Sequence, residues 1–122
     1  MRIISTITTI FGYSSTRMTP HASLAVFGSQ GRTGIHIVNK ALSQNKNVAS
    51  LVKPRHTISS TEKHTIYKGD VTNFNDVDCV YRNNYIEGTI ICLGGNTNEV
   101  GRDMLTKGTT NIINSIKKNN AS

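Results

Sequence analysis

The stretch LAVFGSQGRTGIHIV, residues 24–38, decides the fold predicted for this chain. It begins with a short apolar run of the kind that forms a strand buried on both faces of a sheet. Three glycines follow at three-residue intervals, Gly28, Gly31 and Gly34, and apolar residues then recur at helical spacing. The stretch therefore predicts a strand, a glycine-rich turn and a helix, in that order.

The rest of the chain repeats this alternation of strand and helix patterns. The further strands are predicted over VASLVKP, HTIYKGDV and GTIICLGG, and the further helices over NFNDVDCVYRN and RDMLTKGTTNIINSIKK. Continuously apolar strands that alternate with helices indicate a parallel sheet with helices on both faces. We expect an α/β, Rossmann-like βαβαβαβα unit over residues 23–122, with strand order 3-2-1-4 and an end after about four strands.

Apolar residues at helical spacing predict which faces of the first and last helices are buried. They are Ile35, Val38, Ala41 and Leu42 in the first helix, and Leu105, Thr109, Ile112, Ile113 and Ile116 in the last. Gly108 lies inside the last helix, where glycine costs about 1 kcal/mol relative to alanine. Such a glycine usually indicates that another group approaches the helix closely.

The net charge of +7 is unevenly distributed along the 122 residues. Residues 1–61 hold seven Lys or Arg and no acid, whereas the remainder holds seven of each sign. The basic residues form no run and have few aromatic neighbours, which argues against nucleic-acid binding and favours a phosphate-bearing ligand. No segment approaches the roughly 18 apolar residues that a membrane-spanning helix requires, so no membrane association is expected.

The two cysteines, Cys79 and Cys92, lie far apart in apolar segments, which is typical of buried, reduced thiols. Neither they nor the four histidines show the spacing of metal ligands, so no metal site is expected. Residues 1–22 are rich in Ser and Thr, contain two Arg and lack acids. We expect them to form either a disordered leader of a cytoplasmic protein or a mitochondrial transit segment.

The three glycines lie between a predicted strand and a predicted helix, where a phosphate can bind. Backbone N–H groups at the start of a helix lack intrahelical partners and attract phosphate. We expect Gly28 to form the tight turn, Gly31 to let a pyrophosphate approach the backbone, and Gly34 to let the helix pack closely on the strand. The alternative is a purely structural bend. The other common phosphate loop ends in Gly-Lys-Ser/Thr, which is absent from GSQGRTG.

The end of the second strand indicates which dinucleotide is bound. NAD sites usually carry an acid there, which holds the ribose 2′-hydroxyl. This chain has LVKPR instead, so that Lys53 and Arg55 lie where the 2′-phosphate of NADP(H) would bind. Two solvated surface charges are the alternative for these residues.

The ends of the third and fourth strands complete the predicted site. Asp70 can accept a hydrogen bond from the adenine amine while Val71 packs on the ring. Asp70 or Thr72 is also expected to be the N-cap of the following helix. The backbone of LGGN, residues 93–96, is expected to line the ribose and nicotinamide side.

Several of these segments together are similar to those of one family. LAVFGSQGRTG, LVKPR, KGDVTN, IICLGGNTNE and KGTTNIINSIKKN, in this order, resemble the NmrA-like atypical short-chain dehydrogenase/reductases, and among them the biliverdin reductase B (flavin reductase) group. The resemblance covers residues 23–122 and implies hydride transfer from NADPH to a flavin, tetrapyrrole or quinone-like acceptor. It implies phosphate contacts at Gly28, Ser29, Gln30, Gly31, Arg32 and Thr33, 2′-phosphate contacts at Lys53 and Arg55, adenine contacts at Asp70 and Val71, and ribose and nicotinamide contacts at Leu93 and Gly94.

The chain also departs from the family pattern. Gly28-Ser29-Gln30-Gly31 stands where the family usually has Gly-Ala-Thr-Gly, which changes the hydrogen bonds of the loop, and Pro54 follows Lys53. The family continues into a fifth strand with its catalytic segment, which this sequence lacks, and no Tyr-x-x-x-Lys occurs. Two functions remain open: the cofactor-binding part of a reductase, and a non-catalytic NADP(H)-sensing regulator or scaffold.

The fourth strand would be left at the edge of the sheet. An apolar edge strand is a site of association with other chains. We therefore expect a fragment or a chain that self-associates through this strand.

Overall fold

The structure, a computed structural model, describes residues 22–94 and 103–121. Its elements in chain order are β1 (Ala22–Phe27), α1 (Arg32–Ser43), β2 (Asn47–Val52), β3 (His64–Lys68), α2 (Phe74–Arg82), β4 (Tyr85–Ile91) and α3 (Met104–Asn119). The predicted leader up to His21 and the last two residues of LGGN lie outside the described residues.

The four strands form one parallel sheet in the order β3-β2-β1-β4. The register places Val26 of β1 between Ser50 of β2 and Ile90 of β4. The α/β fold and the strand order predicted from the sequence are confirmed. Because all four strands run the same way, their carboxyl ends meet at one edge of the sheet, which we call the carboxyl edge.

The helices cover both faces of the sheet, as predicted. On one face, Val38 and Ala41 of α1 contact Leu24, Val26 and Val48. On the other face, α2 and α3 pack against the sheet in a larger cluster, which includes Phe27, Leu51, Val77, Val80 and Ile112. Each such side chain contributes about 1.5–3 kcal/mol when it is fully buried. None of the described helices is long and apolar enough to cross a membrane.

The predicted buried faces of α1 and α3 are confirmed at Val38, Ala41 and Ile112, and Leu42, Leu105 and Ile116 pack against the core, but two of the predicted residues are exposed. Ile35 and Ile113 are each 43% exposed. The buried residues of α1 are Gly34, Val38 and Ala41, and those of α3 are Met104, Gly108, Ile112 and Ser115. A glycine allows the helix backbone to approach its neighbour closely, and both Gly34 and Gly108 lie on the buried faces of their helices.

The connection between β2 and β3 also differs, because it contains no helix. Residues 53–63 are irregular, so the expected helix after every strand is wrong at this place. Pro54 is the second residue of the segment, which lacks apolar residues at helical spacing. It is held against β3 by hydrogen bonds from Thr61 N to His64 O at 2.8 Å and from Ile66 N to Ser60 Oγ at 2.8 Å.

Strand β4 begins earlier than the predicted Gly88. Its pairing with β1 shifts between Ser23, which lies opposite Ile86, and Leu24, which lies opposite Gly88. Glu87 is therefore the extra residue of a β-bulge, and the bulge interrupts the alternation by which a strand is recognised. In the described sheet β4 is an edge strand. Association through it stays a prediction.

The two cysteines are free thiols, but they are half-buried rather than buried. Cys79 lies on α2, whose outer side faces solvent, and Cys92 follows the last residue of β4. Burial raises the pKa of the Cys92 thiol, which keeps it protonated and weakly reactive.

Helices α2 and α3 are joined through one carboxylate, Asp78, whose side chain is 4% exposed. Its oxygens accept hydrogen bonds from Ser115 Oγ at 3.0 Å, Asn119 Nδ2 at 2.8 Å and Lys118 Nζ at 3.0 Å. Arg82 Nε lies 2.9 Å away. We call these five residues the Asp78 network. Burial raises the pKa of Asp78, but the hydrogen bonds from Asn119, Lys118 and Ser115 outweigh burial and hold that pKa below 3.8.

Candidate functional site

The predicted site residues are brought together at the carboxyl edge. Residues 28–34 follow β1, residues 53–55 follow β2, residues 70–71 follow β3 and residues 93–94 follow β4. Since β1 lies at the centre of the sheet, its turn has the ends of β2 and β4 on either side. In open α/β sheets ligands bind in the crevice outside this edge.

Two of the three glycines are required by the fold. Gly28 has a positive φ of 88°, and a Cβ there would lie 2.5 Å from the carbonyl oxygen of Cys92. A Cβ at Gly34 would lie 1.8 Å from the carbonyl oxygen of Gly28. A hydrogen bond from Gly31 N to Gly28 O at 3.1 Å closes the turn between them. The structure thus places a tight turn at Gly28 and a close helix contact at Gly34.

Gly31 and Gly94, in contrast, are not required by the described structure. Gly31 has a φ of −82°, which any residue adopts, and a Cβ there would meet only Gly28 O, at 3.5 Å. A Cβ at Gly94 would meet no described atom within 4 Å. A glycine with space for a side chain leaves its backbone open to a ligand.

The start of α1 presents unpaired donors beside Gly31. The first intrahelical bond joins Ile35 N to Gly31 O at 3.0 Å, and Gly31 has no side chain with which to cap the helix. The N–H groups of Arg32, Thr33 and Gly34 therefore lack intrahelical partners. The first turn of α1 carries no acid. Together these groups favour an anion at this position.

Ser29 adds an unsatisfied hydroxyl to the same turn. The residue is 2% exposed, and its Oγ has no hydrogen-bond partner in the described part of the chain. Gln30, next to it, is half-buried. A buried hydroxyl without a partner costs free energy, so a ligand that bonds to it would recover that cost. Both this hydroxyl and the open backbone at Gly31 fit the phosphates of a dinucleotide.

Lys53 and Arg55 lie in a turn directly after β2. His56 N donates to Lys53 O at 3.0 Å, with Pro54 as the second residue of the turn. Proline favours this position because its φ is fixed. Pro54 therefore shapes the turn that carries both cations. Lys53 is half-buried and Arg55 is exposed.

Asp70 follows β3 and is exposed, beside Lys53. Its Oδ1 accepts hydrogen bonds from Thr72 N at 2.8 Å and Thr72 Oγ1 at 2.7 Å. These bonds, with a smaller contribution from the charge of Lys53, lower the pKa of Asp70. The prediction that Asp70 or Thr72 caps α2 is wrong. Asn73 is the N-cap, because its side chain accepts from Asn75 N and Asp76 N, while Asp70 and Thr72 bond to each other.

Val71 and Leu93 pack against α3 at Gly108. A Cβ at Gly108 would lie 2.9 Å from Val71 Cγ1 and 3.1 Å from Leu93 Cδ1, so the close approach predicted at Gly108 is confirmed. Asn111 Nδ2 also donates to Val71 O at 2.9 Å. Val71 is 8% exposed, so most of its side chain lies in the core. Its adenine contact stays a prediction.

The sequence did not indicate Lys68, the last residue of β3. Its Nζ donates a hydrogen bond to the carbonyl oxygen of His56 in the turn that carries Lys53 and Arg55. A basic residue at the end of a strand, directly before Gly69 and Asp70, was the only available signal.

Two described tyrosines have their hydroxyls engaged in hydrogen bonds within the chain. The hydroxyl of Tyr81 is hydrogen-bonded to Thr89 Oγ1 at 2.7 Å, and burial raises its pKa. The hydroxyl of Tyr67 accepts a hydrogen bond from Asn84 Nδ2 at 2.9 Å. Within residues 22–94 and 103–121, no cluster of three or more His, Cys, Asp or Glu side chains could hold a metal ion.

A parallel sheet with a glycine turn leading into a helix start at its carboxyl edge defines a dinucleotide-binding α/β protein. The sequence supports this class directly. The NAD(P)H-binding family matches residues 28–122, and the chain belongs to this family.

Solved structures show the same fold. A UDP-glucose 4-epimerase superposes with a TM-score of 0.70 at 16% identity, covering 82% of this chain and 33% of the epimerase. The UDP-glucose 4-epimerase of Bifidobacterium longum, in complex with NAD⁺ and UDP, gives 0.67 at 20% identity, covering 81% and 34%. ChuY, an anaerobillin reductase from Escherichia coli O157:H7, gives 0.64 at 18% identity, covering 82% and 47%.

These likenesses concern the fold. The chain spans 33% to 47% of the length of these three proteins, so their whole-protein activities do not transfer to it. No curated protein matches the sequence significantly.

Proposed function

We propose that this chain binds NADP(H) at the carboxyl edge and forms the cofactor-holding part of an NADPH-dependent reductase. One observation carries the proposal: among the described residues, neither backbone conformation nor packing requires a glycine at position 31, which lies next to helix N–H groups without intrahelical partners and the Ser29 hydroxyl without a described partner. A pyrophosphate against Gly31 accounts for all three features.

The preference for NADP(H) over NAD(H) rests on charge. Lys53 and Arg55 follow β2, where an NAD site would carry an acid. Neither cation forms an ion pair within the described residues. A 2′-phosphate would supply the missing negative charge. The Bifidobacterium longum epimerase holds NAD⁺, so NAD(H) is the competing cofactor in the experiments below.

The proposed reductase activity is supported by the family resemblance and by the likeness in fold to ChuY, which is an anaerobillin reductase. When bound, the nicotinamide supplies the hydride for a flavin-like, tetrapyrrole-like or quinone-like acceptor. The residues of this chain bind and orient the cofactor. The turn at residues 28–34 would hold the pyrophosphate, Lys53 and Arg55 the 2′-phosphate, Asp70 the adenine amine, and the backbone at Leu93 and Gly94 the nicotinamide side.

A second candidate function is NADP(H) sensing without catalysis. The described tyrosines at positions 67 and 81 have their hydroxyls engaged by Asn84 and Thr89, and the pKa of Tyr81 is raised, which is unsuited to proton transfer. A steady-state assay of NADPH oxidation with a flavin acceptor separates the two. Turnover supports the reductase, and tight binding without turnover supports the sensor.

The cofactor preference is tested by reversing charge in the turn after β2. Lys53→Glu with Arg55→Glu should weaken NADPH binding at least about tenfold, which corresponds to about 1.4 kcal/mol, and should leave NADH nearly unchanged. Isothermal titration calorimetry measures both dissociation constants. Lys40→Glu with Lys117→Glu, which makes the same charge change at exposed positions on α1 and α3, is the control. Equal losses for NADPH and NADH would contradict the assignment.

The pyrophosphate position is tested at Gly31. Because a Cβ has space there, Gly31→Val should fold normally and lose binding of both dinucleotides. Circular dichroism checks the fold, and calorimetry checks binding. A folded Gly31→Val variant with unchanged affinity would make the glycine turn purely structural.

A further inference from the structure

The turn that carries Lys53 and Arg55 belongs to a long irregular connection. Among backbone–backbone bonds of the described residues, the turn has its own bond from His56 N to Lys53 O and no other. The bonds at Ser60 and Thr61 tie the far end of the connection to β3. The turn itself therefore needs a separate attachment if its cations are to keep a fixed position.

Lys68 provides that attachment. Its Nζ donates to the carbonyl oxygen of His56, the last residue of the turn. Lys68 is the final residue of β3, where it pairs with Val52, and the ladder continues through Gly69 N to Val52 O at 2.8 Å. The base of the lysine is thus fixed by the sheet, one residue away from Lys53. Within the described residues no other side chain bonds to the backbone of the turn.

The charges at this place point to an anion. Lys53, Arg55 and Lys68 carry three positive charges within one turn and one adjacent strand end, and none of them is in an ion pair within the described part of the chain. Two acids lie at this strand end: Asp70, whose lowered pKa includes a contribution from the charge of Lys53, and Asp76, whose Oδ2 accepts a hydrogen bond from Asp70 N at 2.9 Å. Three cations next to two acids leave a local excess of positive charge, which the negative charge of a phosphate would neutralise.

We propose that Lys68 is a positioning residue for cofactor choice: by bonding to the carbonyl of His56 it holds the turn so that Lys53 and Arg55 face the 2′-phosphate. The inference rests on the proposed function, because it concerns the same NADP(H) site. The pyrophosphate turn lies on the other side of β2 and does not contact Lys68. The contribution of Lys68 is therefore confined to ligands that carry a 2′-phosphate.

The experiment compares Lys68→Met with Lys68→Arg in the full chain. Lys68→Met removes the donor and should weaken NADPH binding about tenfold, with NADH changed less than twofold. Lys68→Arg keeps a charged donor and should restore most of the affinity. Lys63→Met is the matched control, since Lys63 precedes the first residue of β3 and its Nζ donates to Asn45 Oδ1 at 2.6 Å, at the opposite edge of the sheet. It should leave both affinities unchanged.

Two minimal probes locate the effect. Binding of 2′-AMP should weaken in Lys68→Met, whereas binding of 5′-AMP should not. A cofactor-free measurement tests the attachment itself. Amide hydrogen exchange at His56 should accelerate in Lys68→Met and recover in Lys68→Arg, because the bond from His56 N to Lys53 O opens more often when the turn is released.

The outcomes separate the inference from the proposed function. If the unmodified chain prefers NADPH but Lys68→Met keeps that preference, or if NADPH and NADH weaken equally, the inference is wrong and the proposed function stands. If the unmodified chain binds neither dinucleotide, the proposed function is wrong and the inference falls with it. Unchanged exchange at His56 in Lys68→Met would contradict the attachment in either case.

Discussion

The Asp78 network and the carboxyl edge differ in whether their charged groups have partners among the described residues. At Asp78 a buried carboxylate accepts hydrogen bonds from three side chains and pairs with two cations. At the carboxyl edge, Lys53 and Arg55 form no ion pair in the described structure, and the buried hydroxyl of Ser29 has no described partner. The first arrangement joins two helices. In the second, the described residues supply no partner, and we propose that a ligand does.

This difference separates residues that hold the fold from residues that await a ligand. Buried polar groups are normally hydrogen-bonded, and the exceptions call for an explanation. The same distinction holds among the glycines, since Gly28 and Gly34 are required by contacts within the chain and Gly31 is not. Each prediction below alters one side of this comparison.

The largest effect is expected at Gly34. A Cβ there would lie 1.8 Å from Gly28 O, a backbone atom that cannot move without displacing β1 from α1. Gly34→Ala should therefore lower the free energy of unfolding by at least about 3 kcal/mol, as severe overpacking does. Urea unfolding followed by circular dichroism measures the change.

Gly31→Ala is the matched control, and it should change the stability by less than about 0.5 kcal/mol because its nearest contact is at 3.5 Å. Equal losses at the two glycines would remove the distinction between a structural and a ligand-facing glycine.

The Asp78 network comes next. Asp78→Ala leaves the buried hydroxyl of Ser115 with a weaker set of partners and should cost about 2–3 kcal/mol. Lys118→Met should cost less than about 1 kcal/mol, because Lys118 is 57% exposed and water screens its charge. Because the folded pKa of Asp78 lies below 3.8, this stabilisation is complete at neutral pH and is lost as the pH falls below about 4.

Thermal unfolding of both variants at pH 7 and pH 3 checks this prediction. A loss in Asp78→Ala that is as large at pH 3 as at pH 7 would contradict the role given to the ionised carboxylate.

Ser29→Ala should change the free energy of unfolding by a smaller amount and should raise it rather than lower it. Removing a buried hydroxyl without a described partner should stabilise the ligand-free chain by about 1 kcal/mol. The same change should reduce the rise in unfolding temperature that saturating NADPH produces, since one ligand contact is gone. Differential scanning fluorimetry with and without NADPH measures both. A less stable ligand-free variant would show that the hydroxyl already has a partner.

The smallest effect concerns His64, which is 5% exposed and whose Nε2 lies 2.8 Å from Ser50 Oγ. Burial lowers the pKa of His64 below 6.5. As the pH falls below about 6.5, His64 binds a proton in the unfolded chain but stays neutral in the folded chain. The free energy of unfolding therefore falls. His64→Gln should show a shallower fall between pH 7.5 and 5.5 in urea titrations. An unchanged slope would contradict the buried, neutral histidine.

Much of the fold could be predicted because its signals are local. The continuous apolar strands and the stretch around Gly28, Gly31 and Gly34 define a parallel sheet and its first turn without tertiary information. The exposure of Ile35 and Ile113 could not be predicted in the same way. It depends on how the helices pack, with close approaches at Gly34 to the turn after β1 and at Gly108 to Val71 and Leu93, and spacing along one helix does not report these distances.

The site was predictable to the same extent. Strand ends can be located in a sequence, so Lys53, Asp70 and Leu93 could be placed at one edge. The attachment by Lys68, the cap at Asn73 and the bulge at Glu87 depend on contacts between elements and on register. These features have no periodic signature, so only the folded structure brings them out.

The most direct test is an NMR titration of the isotope-labelled chain with NADPH, with NADH in parallel. We expect NADPH to shift the amide signals of residues 31–34 and 53–56, and NADH to shift mainly the first of these groups, while signals of the Asp78 network stay in place. Absence of shifts at residues 31–34, or identical patterns for the two dinucleotides, would contradict an NADP(H) site at the carboxyl edge.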